Sequence, residues 1–258
     1  MPIDASPCFT KTNRAREVLE QLKTAEQELA SPPHLAAEFK EEGEWHVLRI
    51  THLVPPLSRV SCVVGDVIHN IRCALDHLAC LVVQECGHEV TKRTQFPITQ
   101  SAEKFEEAIS SQLPGINTTY RNFIRGLQPF ASQDPPSRLE VVHRLDIKDK
   151  HKSLVLSAVL PRHVEYQARG PTGAIVEAVG PDSMPFPLVI GTELIRLKLA
   201  PRVKLSHLDL NVRLGAHLGF LEDGSEHGEH VVMWLYETVR YVEEQVLYAA
   251  EQVTTRSA

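Results

Sequence analysis

The stretch from Gly65 to Leu78 (GDVIHNIRCALDHL) constrains this chain more than any other. It lies within a long apolar run, from about Leu57 to Val83, yet it contains Asp66, His69, Asn70, Arg72, Asp76 and His77. At ~100° per residue, Val64, Val67, Ile68, Ile71, Leu75, Leu78 and Val82 cover one side of a helix. Cys62, Asp66, His69, Asn70, Cys73, Asp76, His77 and Cys80 fall on the other. This second face has no Lys and no Glu, the residues an ordinary solvent-facing stripe contains. It is therefore expected to meet other protein, and a polar seam inside protein needs hydrogen-bond partners or a chemical task.

A chain of 258 residues, 43% hydrophobic and 23% charged, is long enough to bury a sizeable core and has an ordinary globular composition. The formal net charge of −6 argues against nucleic-acid binding by the whole surface, so any RNA contact needs a local basic patch. Five cysteines (Cys8, Cys62, Cys73, Cys80, Cys86) form no C-x-x-C pair, and their number is odd. Cys73 and Cys80 are too far apart along one helix for a bridge. A reduced, cytoplasmic protein is the expectation, with no membrane association, because no signal-like start or membrane-spanning apolar run is present.

Along the chain, an amphipathic helix is expected from about Thr12 to Ala30, stopped by Ser31-Pro-Pro33. A hairpin of Leu35–Lys40 and Trp45–His52 follows around Glu41-Glu-Gly-Glu44. The central helix runs from Pro56 to Cys86-Gly87, and an anchored loop from 88 to 100 centres on Thr94-Gln-Phe-Pro-Ile98. Helices are expected over Ser101–Ser110 and Asn117–Leu127, then a turn from Gln128, then a helix from the capping box Ser137-x-x-Glu140 to about Leu156. Strands are expected at Val164–Arg169, Ala174–Val179, Leu188–Leu199 and Val203–Leu214, the last with a phase break near Ser206-His207. A closing helix spans about Ser225 to Val253, with coiled-coil-like apolar spacing. The fold class is α+β: a mainly helical bundle of residues 1–160 and 225–258, including the N-terminal hairpin, with a small antiparallel sheet inserted over 161–224.

Arg72-x-x-x-x-His77 is the first chemical constellation. Five residues at ~100° place the two about 140° apart around the axis, so Arg72 must sweep round to share a pocket with His77. An arginine fork for phosphate and an imidazole for proton transfer suit metal-independent cleavage of RNA, whose 2′-hydroxyl is its own nucleophile. Asp76 is placed to orient His77 or another basic group. The alternative is that Arg72 pairs with an acidic neighbour and His77 is a hydrogen-bonded interior histidine.

The run Gly65-Asp66-x-x-His69-Asn70-x-Arg72-x-x-Leu75-Asp76-His77-Leu78 resembles the central signature of a widespread uncharacterised family of bacterial proteins. Thr94–Ile98, Leu127-Gln-Pro-Phe130 and His143-Arg-Leu-Asp-Ile-Lys-Asp-Lys-His151 resemble that family's other marked stretches, in the same order, across residues 10–160. More remotely, R-x4-H on a long helix of a bundle is similar to HEPN-domain proteins, many of them ribonucleases of toxin–antitoxin, abortive-infection and CRISPR systems. That resemblance implies a homodimer with its site where two such helices meet, Arg72 binding phosphate, His77 moving protons, and an antitoxin or other protein partner. The position after the arginine is commonly polar in HEPN motifs, whereas here it is Cys73.

Two further groupings border this motif. Asp66, His69, Cys73 and His77 follow one another at helical i,i+3 and i,i+4 spacing, which would allow a metal site, or instead a hydrogen-bond network fixing helix register. His143, Asp146 and Lys150 share a face next to His151, and with Arg138, Arg144, Lys148 and Lys152 they form the best candidate RNA-facing patch, or else a salt-bridged helix edge. The supporting pocket expected around Arg72, Asp76 and His77 is thus Asp66, His69, Asn70, His143, Asp146, Lys150 and His151. No cofactor and no bound metal are expected for the first reading, an RNA-binding or RNA-cleaving protein. The other readings are a non-enzymatic binding or assembly protein with a structural seam, and a metal-binding protein.

Overall fold

The computed structural model describes residues 3–29, 34–54, 57–133, 137–151, 157–180, 188–220 and 230–253; side chains at 29, 57, 151, 157–164, 213–216 and 220 are excepted. The chain is an α+β mixture that divides into two compact units. One comprises Met1–Gln21, Ser61–Val155 and Met233–Ala258, the other Leu22–Val60 and Leu156–Val232.

The first unit is helical. It contains most of α1 (Ser6–Leu29) and of α2 (Leu57–Glu85), then α3 (Ala102–Gln112), α4 (Thr118–Gly126), α5 (Arg138–His151), most of α6 (Val231–Tyr241) and α7 (Tyr248–Val253). The apolar side of α2 is fully sealed: Val64, Val67, Ile68, Ile71, Ala74, Leu75, Leu78, Ala79, Val82 and Val83 expose no surface. Burying each of the larger side chains among these stabilises by about 1.5–3 kcal/mol relative to exposure, so this face fixes the position of the helix. Gly87, in the left-handed region at φ 77°, follows the end of α2. Gly65 permits a close approach to α5, because a Cβ there would sit 2.7 Å from Asp149 Oδ2.

Local capping accounts for the other helix starts. The Ser101 side chain accepts from the Lys104 amide at α3, and the Asn117 side chain accepts from the Tyr120 amide at α4. At α5 the Ser137 hydroxyl accepts from the Glu140 amide, while the Glu140 carboxylate accepts from Gln100. The described part of α5 ends at His151, and the expected extension to Leu156 lies outside the described residues. The closing helix is one run whose spacing is broken by a π-helical turn at Val242–Leu247. The turn moves the buried stripe from Val239, Val242 and Val246 to Leu247 and Ala250, so the coiled-coil spacing expected through Ala249 and Val253 does not persist.

The second unit is built on two antiparallel sheets. β1 (Leu35–Glu42) and β2 (Trp45–Leu53) form the expected hairpin, with Glu42 opposite Trp45 across a turn at Gly43, φ 63°. β2 then pairs with β5 (Glu193–Leu199), which pairs with β4 (Ile175–Val179), giving the order β1-β2-β5-β4. The hairpin therefore shares a sheet with the segment expected to be a separate insertion. Pairing of Trp45 to Arg49 with Lys198 to Glu193 explains this, because it buries Val47, Leu48, Leu194, Ile195 and Leu197 together. β3 (Ser157–Arg169) pairs with β6 (Asp209–Phe220) as a second sheet, and its start precedes the expected Val164. Pro161 sits where the register slips, between Pro161 and His163, so the missing amide is tolerated inside the strand. The phase break expected near His207 is a 3₁₀ turn, Leu205–His207.

Candidate functional site

The polar residues of α2 separate into a buried lock and a half-open stripe, both within the helical unit. Arg72 is 4% exposed although it is charged. Its Nη2 donates to Asp76 Oδ1 at 2.8 Å and its Nε to Asp76 Oδ2 at 3.2 Å, one helical turn away. The same Nη2 donates to the Phe96 carbonyl at 2.7 Å, and the Phe96 amide donates to Asp76 Oδ1 at 2.8 Å. Both backbone groups of a buried loop residue are thus satisfied by one ion pair on α2, which offsets the desolvation of that loop.

A second lock acts on the same loop. Gln128 is 1% exposed, and its Nε2 donates to the carbonyls of Pro97 (2.9 Å) and Ile124 (3.1 Å). Its Oε1 accepts from the Thr99 amide at 2.9 Å. The stretches Thr94–Ile98 and Leu127–Phe130, separate in sequence, are therefore joined through side-chain bonds to main chain. Gln128 was not among the expected site residues, although a lone Gln before Pro129, inside a buried apolar stretch, was the available signal.

The third stretch meets α2 from α5. Asp146 is buried, with Lys150 Nζ donating to its Oδ2 at 2.8 Å and His69 Nδ1 3.6 Å from its Oδ1. His69 Nε2 lies 3.4 Å from Cys73 Sγ. His143 is held below the usual histidine range by burial and then by the Arg72 guanidinium, so it favours the neutral imidazole. Its Nδ1 and the Arg72 Nη1 are buried with no hydrogen-bond partner among the described residues.

The remaining stripe differs from the expected inward seam. Cys62, Asp66 and His69 are exposed, and Asn70, Cys73, His77 and Cys80 are half-buried. Asn70 turns its Nδ2 back to the Asp66 carbonyl at 2.8 Å, as a helix-surface residue does. His77 is half-buried and makes no hydrogen bond or ion pair with a described residue, and none joins it to Arg72. The side chain of His151 lies outside the described residues. Cys73 and Cys80 are shifted up by burial, and the sealed Cys8 thiol is pushed up to about 12, chiefly by burial and then by Cys80. Cys8 and Cys73 thus keep their protons near neutral pH and are poor nucleophiles or metal ligands there.

Fold and site together define an α+β protein with a helical unit organised by a side-chain-locked loop, and among its described residues no helix is long and apolar enough to cross a membrane. Compared with protein-family models, curated proteins and solved structures, the chain matches none of them.

Proposed function

We propose that this chain is a non-enzymatic binding and assembly protein, in which the Arg72–Asp76–Phe96 lock is structural and the half-open stripe of α2 receives a second copy. The observation behind this reading is that the Arg72 guanidinium is already engaged, two bonds to Asp76 and one to Phe96, with almost no exposure. A group so held is a fixed support and not a mobile phosphate clamp. The stripe of Asp66, His69, Asn70, Cys73 and His77 is short-chained, and it contains both an acid and imidazoles. Two copies of α2 crossing antiparallel about Cys73 would set Asp66 opposite the partner's Cys80 and His69 opposite the partner's His77, a two-fold contact in which one patch meets itself. Sedimentation of the purified chain at micromolar concentration is expected to show a dimer. Asp66→Lys combined with Cys73→Lys should make it a monomer, with the helical content retained by circular dichroism. A wild-type chain that sediments as a monomer sinks this reading.

A second reading is a HEPN-like, metal-independent ribonuclease of the cytoplasm, with toxin or defence roles and an antitoxin partner. It is favoured by the Arg72 Nη1, buried without a hydrogen-bond partner among the described residues, and by the His77 imidazole, which no described residue engages. Here Arg72 Nη1 and Lys150 would donate to phosphate and His77 would move the proton. One measurement separates the two: incubation with single-stranded RNA in chelator. The assembly reading expects no cleavage by wild type or His77→Ala. Cleavage by wild type that is lost in a normally folded His77→Ala would establish the ribonuclease.

A further inference from the structure

Far from α2 in sequence, and entirely within the sheet-containing unit, three ligand-type side chains converge that no sequence motif announces. Glu26 comes from the last turns of α1, His217 from β6, and His230 from the residue before α6. Their ligand atoms all lie within 4.8 Å of one another. His230 Nε2 is 2.6 Å from Glu26 Oε1, His217 Nδ1 is 3.4 Å from the same oxygen, and the two imidazole centroids are 4.0 Å apart. Side-chain exposures are 12% for Glu26, 20% for His217 and 25% for His230, so the cluster is sheltered yet reachable from solvent.

The backbone fixes this geometry. His230 is pinned beside β6 by an antiparallel bridge to Gly219, two residues from His217. The Leu218 amide donates to Glu26 Oε1 at 2.9 Å, orienting the carboxylate between the two imidazoles. Such an outer hydrogen bond to a carboxylate is the support that metal ligands characteristically receive. Two imidazoles in contact cannot both become cationic without mutual repulsion, whereas a single divalent ion satisfies both lone pairs and the carboxylate together.

We infer that Glu26, His217 and His230 form a metal site for a borderline divalent transition ion, with zinc the ion of choice. Two nitrogens and one carboxylate oxygen suit zinc and disfavour magnesium or calcium, which take oxygen ligands. Zinc bonds of about 2.0–2.1 Å in tetrahedral array place ligand atoms about 3.3 Å apart; His217 Nδ1 already stands 3.4 Å from Glu26 Oε1, and the 2.6 Å contact of His230 would open on binding. Three protein ligands leave a fourth position for water or for a ligand group. Bound metal would also tie Glu26 to His230, 204 residues away in sequence, and to His217 on β6, so it should stabilise the sheet-containing unit.

The test uses the untagged full-length chain, stripped with chelator and titrated with zinc chloride by calorimetry. One equivalent is expected to bind with micromolar or tighter affinity and to raise the melting temperature. His230→Ala and His217→Ala should each weaken binding at least tenfold, while His69→Ala combined with Cys73→Ala leaves it unchanged. Because a histidine variant could fold poorly, cobalt substitution of the wild type gives an independent readout. Tetrahedral ligand-field bands without thiolate charge transfer support the site. Absence of stoichiometric zinc binding, strong thiolate charge transfer, or loss of binding in the His69/Cys73 variant instead overturns it.

Discussion

Arg72→Ala is expected to destabilise the helical unit by about 2–3 kcal/mol, a drop of roughly 5–8 °C in its melting temperature. The substitution leaves Asp76 without its counter-charge and the buried Phe96 carbonyl without its donor. Breaking a fully buried pair costs about 3–5 kcal/mol, and the figure is reduced here because the Asp76 side chain is 32% exposed and can take up water. Arg72→Lys should recover only part of the loss, since an ammonium cannot bind Asp76 with two parallel N–H donors and also reach Phe96. Urea denaturation followed by near-ultraviolet circular dichroism measures this, and amide exchange at Phe96 should accelerate with it. A change below about 0.5 kcal/mol would mean that the lock is incidental, and would return Arg72 to the role of substrate ligand.

The larger loss is expected from Phe96→Ala, about 3–4 kcal/mol, because a fully buried aromatic ring is replaced by a cavity. Phe96→Leu, which keeps most of the volume, should cost less than about 1.5 kcal/mol. Both variants keep the backbone amide and carbonyl that Asp76 and Arg72 bind, so they separate packing from hydrogen bonding at one residue. Combining Phe96→Ala with Arg72→Ala should cost less than the sum, by about 0.5–3 kcal/mol, since the ring and the ion pair hold the same loop. Strict additivity would show that the two act on separate elements.

The competition between Arg72-x-x-x-x-His77 and Arg72-x-x-x-Asp76 shows where sequence reasoning loses resolution. Both spacings are present in the same six residues. Helical geometry alone favours the i,i+4 pair, which shares a stripe, over the i,i+5 pair at about 140°. The preference is weak because a long arginine side chain can turn either way. What decides it is the Phe96 loop, which presents a carbonyl and an amide to that side of α2. Asp146 of α5 lies beside Lys150 and beside His69 of α2, while Gln128 was missed because neutral amides make no periodic pattern.

Local chemistry in the sequence was enough to locate α2, α3, α4 and the start of α5, the caps at Ser101 and Ser137, the Gly43 hairpin and the sealed face of α2, while α1 begins at Ser6, ahead of the expected Thr12. Each depends on neighbours within a few residues, where propensity, capping and periodicity act. Tertiary structure alone decided that β2 pairs with β5, that a π-turn resets the closing helix, and that Glu26 meets His217 and His230. Those outcomes depend on segments far apart in the chain, whose approach is set by the packing of the whole unit and leaves no trace in local spacing.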